Sequence, residues 1–207
     1  MATEREAHWQ KVYAEKSADA VSWYRAHLEV SLRLLERAGM GARSRLIDVG
    51  GGASTLVDDL LARGLAAITV LDIAEPALDA ARRRLGARAE AVTWLVGDVT
   101  RVALPAAGYD LWHDRAVLHF LTDPADAAAY VAQVRHALAP RGHAVIGGFA
   151  SDGPERCSGL PVARRDAADI AALFGPGFEL LHGERELHRT PWGAPQSFAY
   201  ALLRKAA

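Results

Sequence analysis

Cys157 is the only cysteine in 207 residues, so no disulfide can close within the chain and no thiolate zinc site can be built from it. No apolar run approaches the ~20 residues that span a bilayer. The opening MATEREAHWQKVY lacks the apolar core of a secretory signal. An excess of one charge is missing too: 24 Lys and Arg against 25 Asp and Glu leave a formal net charge of -1, which argues against a basic nucleic-acid surface. Internal repeats, low-complexity tracts and linker-like shifts in composition are likewise absent. What remains is ordinary globular material, 51% hydrophobic and 24% charged. These absences lead us to expect a cytoplasmic protein with no nucleic-acid, membrane or metal partner. The length suits a single domain over 1–207, with an N-terminal helical cap over 1–40 and a core over 44–205.

Short apolar runs alternate with helical patterns, the sign of a mostly parallel sheet covered by helices. Strands are expected at about 44–49, 67–72, 92–96, 109–113 and 143–149, and helices near 54–63, 75–86, 124–139 and 166–174. Ser54 or Thr55 is placed to cap the first of these helices, with Asp58 and Asp59 in its early turns and Gly64 at its end. Thr122 or Asp123 caps a later one, Pro124 opens it and Pro140-Arg141-Gly142 closes it. Residues 4–38 read as two helices joined near SADAVSWY. After residue 175 two strand-like runs flank Thr190–Pro195, as an antiparallel pair would.

The first strand ends in Asp48-Val49-Gly50-Gly51-Gly52 and leads into a helix, and in open α/β sheets ligands bind beyond such strand ends. A dinucleotide turn has the spacing G-x-G-x-x-G, but the third glycine position here is Thr55. Asp48, two residues before the first glycine, would repel a phosphate. A ligand with an ammonium and a carboxylate fits better: Gly51 and Gly52 amides for the carboxylate, Asp48 for the ammonium. Asp72 ends the second strand, where an acid accepts both hydroxyls of a ribose, with Ile73 placed against a purine face. Gly97, Asp98 and Val99 follow the third strand, Asp98 suited to an exocyclic amine and the Val99 amide to the ring. An amino acid, a ribose and an adenine are the three parts of S-adenosylmethionine.

With DVGGGAS at 48–54, LDIAEPAL at 71–78, VGDVT at 96–100 and YDLWHDRAVLHFL at 109–121, the chain resembles the class I S-adenosylmethionine-dependent methyltransferases. The resemblance covers about 44–205 and implies a three-layer Rossmann-like α/β fold whose last strand runs antiparallel. It also implies S-adenosylmethionine as cofactor, S-adenosylhomocysteine as product, and a reacting centre after the fourth strand. HWQKVYAEKSADAVSWY is similar to the lead-in of a subset that includes bacterial enzymes and methyltransferase-like lysine methyltransferases. Ser54 stands where that wider family often has a further glycine.

Because the sulfonium is a cation that favours aromatic faces, Trp9, Tyr13 and Trp23 are expected over the cofactor, either as a lid or as anchors for the N-terminal helices. Asp114 and Arg115 stand at the turn after the fourth strand, both as cofactor-binding candidates, with Asp114 also a candidate catalytic group or the partner of Arg115 or another cation. His119 is the candidate general base, with packing as its alternative. His113 is read as pointing away from the ligand and given no role. The glycine- and proline-bearing loop 147–162 should sit on the ligand side, making Arg156 and Cys157, together with Tyr24, candidate acceptor contacts. A small-molecule acceptor is the leading expectation. A protein lysine acceptor, a nicotinamide-dependent oxidoreductase and a catalytically silent S-adenosylmethionine-binding protein are the alternatives. Oligomeric state is left open.

Overall fold

The protein is described from a computed structural model covering residues 4–15 and 21–207. Its strands are β1 (Arg45–Val49), β2 (Ala67–Asp72), β3 (Val92–Val96), β4 (Tyr109–Arg115), β5 (Leu138–Phe149), β6 (Arg156–Cys157), β7 (Leu160–Pro161), β8 (Phe178–Arg189) and β9 (Pro195–Lys205). The helices are α1 (Glu4–Glu15), α2 (Glu29–Arg37), α3 (Leu56–Ala62), α4 (Glu75–Leu85), α5 (Pro124–Ala137) and α6 (Ala167–Phe174). Seven strands form one sheet in the order β3-β2-β1-β4-β5-β9-β8, while β6 and β7 pair as a separate small hairpin. The first five are parallel to their neighbours, and β9 runs antiparallel between β5 and β8. This is the mostly parallel, Rossmann-like sheet with a reversed C-terminal pair that the sequence implied.

The central strands are buried on both faces, which is why they read as continuous apolar runs. Leu46, Ile68, Val70, Leu111 and Val145 pack on one face with Leu32 and Leu35 of α2, Leu56 and Leu60 of α3, and Leu78 of α4. Ile47, Val49, Leu71, Trp112 and Ile146 pack on the other with Tyr130 and Val134 of α5 and Ile170 and Phe174 of α6. Successive side chains along a strand alternate between these two layers. That alternation decides which residues of β4 reach the site.

Three boundaries differ from expectation for local reasons. α5 stops at Ala137 and the chain passes directly into β5, so Pro140–Gly142 lies inside a strand; the residue before a proline disfavours helix and favours extended backbone. α3 begins at Leu56, and Thr55 does not cap it: the Thr55 hydroxyl donates instead to the Arg25 carbonyl at 2.8 Å, while Ser54 Oγ accepts from the Leu56 amide at 3.2 Å. β4 continues two residues past the expected end, to Arg115. Asp123 caps α5 as anticipated, accepting from the Ala125 amide. Part of the expected SADAVSWY connection, residues 16–20, lies outside the described residues.

Candidate cofactor and active site

The carboxyl ends of β1 to β4 open into a cavity of about 1140 Å³, its mouth included. Its floor is the glycine turn. Gly50 has φ of 67°, and a Cβ there would run into Val117; a Cβ at Gly51 would stand 2.5 Å from Asp48 Oδ2. Both positions therefore need glycine for backbone shape and for close approach. The amides of this turn are not free for a ligand carboxylate, however. Gly50 and Gly51 donate to the Leu71 carbonyl at 2.7 and 3.3 Å, and the Gly52 amide serves the Asp72 carboxyl. Gly52 itself does not line the cavity. The expected backbone cradle is thus spent on holding the turn against β2, because strand-end amides pair with the neighbouring strand before any ligand arrives.

Around the cavity stand Trp9, Tyr13, Trp23, Tyr24, Asp48, Gly50, Gly51, Asp72, Ile73, Gly97, Asp98, Val99, Arg115 and Cys157, all anticipated from sequence. Asp72 is buried at the end of β2, where its Oδ1 accepts from the Ala74 amide at 2.8 Å. Burial pushes its pKa up to about 7, against the opposing effect of the Ala74 amide. Asp98 lines the wall with Oδ1 already committed to the amide and hydroxyl of Thr100, at 2.8 and 2.7 Å, and with Oδ2 3.4 Å from Arg5 of α1.

The roof is aromatic. Trp9 packs edge-on to Phe120 and Trp23, with ring centroids 5.0 and 5.8 Å apart, and Tyr13 lies 6.1 Å from Trp9. Trp9 also docks α1 against Ala74 and against Ala77 of α4, while lining the cavity itself. The segment 21–28 is strapped down by its carbonyls. His188 Nε2 meets the Ser22 oxygen at 2.7 Å, Arg115 Nη1 donates to that of Trp23 at 3.0 Å, and Thr55 holds that of Arg25. The β6–β7 hairpin contributes Cys157, which lines the cavity, and Leu160, which packs beside Trp9.

Four sequence expectations are corrected. Asp114 is fully buried but turned to the opposite layer from the cavity: its carboxylate accepts from the Val117 and Leu118 amides at 2.7 and 3.0 Å and from the Tyr130 hydroxyl at 2.6 Å. It shapes the turn after β4, and Arg115 is not its partner. His119 does not line the cavity either. Its ring is wedged against Phe120 and Phe149, at 4.3 and 5.0 Å, and burial drives its pKa down to about 3, too low for a useful general base near neutrality. Arg156 is exposed and bonds the Gly159 carbonyl, closing the small hairpin rather than meeting an acceptor. His113, given no role, points into the site: Nδ1 lies 2.7 Å from Asp48 Oδ1 and Nε2 lies 2.9 Å from Ser31 Oγ. The reason is register, since Asp48 and His113 are paired neighbours on parallel strands and share a face.

Arg5, Arg25, Leu28, Phe120 and Leu121 also line the cavity and were not anticipated. Only the arginines near the aromatic lead-in offered any signal in the sequence.

Two charged residues of the wall keep a buried atom with no hydrogen-bond partner among the described residues, Asp48 Oδ2 and Arg115 Nη2. Arg115 is otherwise held by the Tyr200 hydroxyl at 2.9 Å and the Trp23 carbonyl, with Phe198 under its guanidinium. Asp48 Oδ2 suits the ammonium of a zwitterion, Arg115 Nη2, which lies 3.9 Å from Glu186 Oε2 without a hydrogen bond, suits its carboxylate, and Asp72 remains for a diol. The residues present therefore fit the cofactor that the sequence implied.

Comparison with known proteins agrees. Residues 46–142 match the family model described as "Methyltransferase domain". Nodulation protein S of Rhizobium tropici is 32% identical over 114 residues, 55% of this chain and 47% of that protein. The eEF1A lysine and N-terminal methyltransferase of Mus musculus is 27% identical over 117 residues, 56% of this chain and 16% of that protein. The chain thus spans about half or less of the curated relatives it matches. Among solved structures, the Burkholderia thailandensis 1,6-didemethyltoxoflavin-N1-methyltransferase, with bound 1,6-didemethyltoxoflavin and S-adenosylhomocysteine, superposes with a TM-score of 0.74 at 22% identity, covering 100% of this chain and 91% of that one. Residues 46–142 thus match a methyltransferase domain, and the fold of the chain is that of solved S-adenosylmethionine-dependent methyltransferases.

Proposed function

We propose that the protein transfers a methyl group from S-adenosylmethionine to a small-molecule acceptor. When bound, the cofactor supplies an electrophilic methyl group on a sulfonium. In this reading Asp48 holds its ammonium, Arg115 its carboxylate, Asp72 its ribose hydroxyls, and Ile73, Asp98 and Val99 flank its adenine. Trp9, Tyr13, Trp23 and Phe120 exclude water and give the sulfonium an aromatic surround. Neither His119 nor Asp114 is placed to take a proton from the acceptor, so positioning for in-line displacement carries the rate, a contribution of roughly 10⁵ M or more in effective concentration in good cases.

The observation that carries the small-molecule reading is the roof. α1, the strapped segment 21–28 and the β6–β7 hairpin all contribute residues to the cavity wall, and these crowded, mostly aromatic walls suit a small acceptor better than a protein side chain. The toxoflavin enzyme, whose acceptor is a small molecule, supports this choice by analogy. Acceptance of a protein lysine is the second reading, favoured by the 27% identity to the eEF1A methyltransferase. The match of residues 46–142 to a methyltransferase domain leaves the nicotinamide alternative without support, and a cytoplasmic location accompanies the proposal.

Incubation with methyl-labelled S-adenosylmethionine and a cell extract, followed by separation of protein from small molecules, tests it. Label in the small-molecule fraction is expected. Label confined to protein reverses the choice of acceptor, and binding without transfer to either fraction returns the silent-binder alternative.

A further inference from the structure

Resting on that cofactor reading, we infer that His113 and Ser31 are positioning residues for the cofactor's ammonium, acting through Asp48. Asp48 is 2% exposed, His113 1% and Ser31 0%, so water does not compete for their contacts. Ser31 lies on the face of α2 that packs on the sheet, among Leu32, Leu34 and Leu35. From there its hydroxyl oxygen lies 2.9 Å from His113 Nε2, which holds the ring with Nδ1 towards Asp48. Nδ1 then donates to Asp48 Oδ1 at 2.7 Å. One carboxylate oxygen is thereby tied down and the other, Oδ2, is left as the sole unpartnered acceptor of that carboxylate.

The order serine, histidine, aspartate is that of a hydrolase triad, but the direction of use is reversed here. Ser31 is fully buried and absent from the cavity wall, whereas Asp48 lines it. No nucleophile is presented to a substrate; the acid is the working end. The three residues come from α2, β4 and β1, so the packing of the N-terminal helix on the sheet is coupled to the orientation of the ammonium acceptor.

The test is calorimetric binding of two probes, S-adenosylhomocysteine, which carries the ammonium, and 5′-methylthioadenosine, which lacks it. H113L is expected to weaken S-adenosylhomocysteine about tenfold while changing 5′-methylthioadenosine less than about twofold, since a hydrogen bond to a charged group is lost at only one end of the ligand. H113N, whose amide can still donate to Asp48, should restore most of the affinity, and S31A should lie between wild type and H113L. H113L placed on D48N should add almost nothing to the loss caused by D48N, the signature of residues acting in series. This cycle decides the matter should 5′-methylthioadenosine bind too weakly to measure. Equal losses for both probes, an unchanged S-adenosylhomocysteine affinity in H113L, or additive losses in the cycle overturn the inference while leaving the cofactor reading standing. Failure of the wild-type protein to bind S-adenosylhomocysteine removes the cofactor reading, and this inference with it.

Discussion

Asp48 and Asp114 are both buried carboxylates near the carboxyl ends of adjacent central strands, yet their surroundings differ in kind. Asp114 accepts three hydrogen bonds from within the protein, two from the turn that follows it and one from Tyr130. Asp48 accepts one, from His113, and keeps an oxygen unpartnered at a cavity wall. A buried acceptor left unsatisfied costs about 1–3 kcal/mol, and a fold tolerates that where a ligand makes good the deficit. Saturation marks the acid that builds the turn; the missing partner marks the acid that waits for a ligand.

Asp72 stands between the two: it lines the cavity like Asp48, yet its carboxylate already accepts from the Ala74 and Gly52 amides, so facing the cavity rather than lacking a partner assigns it to the ligand. Asp72→Ala should weaken S-adenosylhomocysteine binding roughly 100-fold, because two ribose hydroxyls lose a charged acceptor. Calorimetry showing an unchanged affinity would remove Asp72 from the site. Asp114→Ala should do the converse, lowering unfolding stability by about 3 kcal/mol as two turn amides and the Tyr130 hydroxyl lose their partner, with cofactor affinity held within about threefold. A large affinity loss in a stably folded Asp114→Ala protein would erase the distinction drawn above.

Acidity provides a gentler probe of the same contrast. A ribose needs Asp72 ionised, and in the cofactor-free protein burial pushes its pKa up to about 7. Protonation below that value replaces an acceptor by a donor, so S-adenosylhomocysteine affinity should fall as pH drops from 7.5 towards 6, by up to about tenfold per unit at the acid end. A flat profile over that range contradicts the role. The smallest effect is expected at His119: replacement by leucine, of similar volume and without an unpartnered nitrogen, should leave turnover within about twofold. A collapse in turnover with unchanged cofactor affinity would bring His119 back as a reacting group.

The erroneous expectations at β4 have one origin. His113, Asp114 and Arg115 are consecutive, and in an extended strand they must alternate between faces. Residue type alone places His113 away from the ligand and Asp114 towards it, the inverse of the observed phase. In a strand with one solvated face the polar residues would have revealed that phase, but β4 is buried from Tyr109 to Asp114 apart from a half-buried Asp110. Leu111 and Trp112 are equally apolar and face opposite layers. His119 misled for a related reason. Its residue type suggested proton transfer, whereas its burial between two phenylalanines was invisible in one dimension.

The sequence by itself determined the parallel sheet, the crossover helices, the reversed last strand, the glycine turn and the acids at the ends of β1, β2 and β3. Each of these rests on local spacing: apolar runs of strand length, capping residues, and glycines where side chains would collide. Tertiary structure decided that the turn's amides are spent on Leu71, that Tyr130 of α5 completes the partners of Asp114, and that His113 and Ser31 stand behind Asp48. Those outcomes depend on strand register and on which helix covers which face, and both are set by contacts between residues 65 and 82 positions apart. Local sequence chose the residue types at the strand ends, and long-range packing chose which of them were left without a partner.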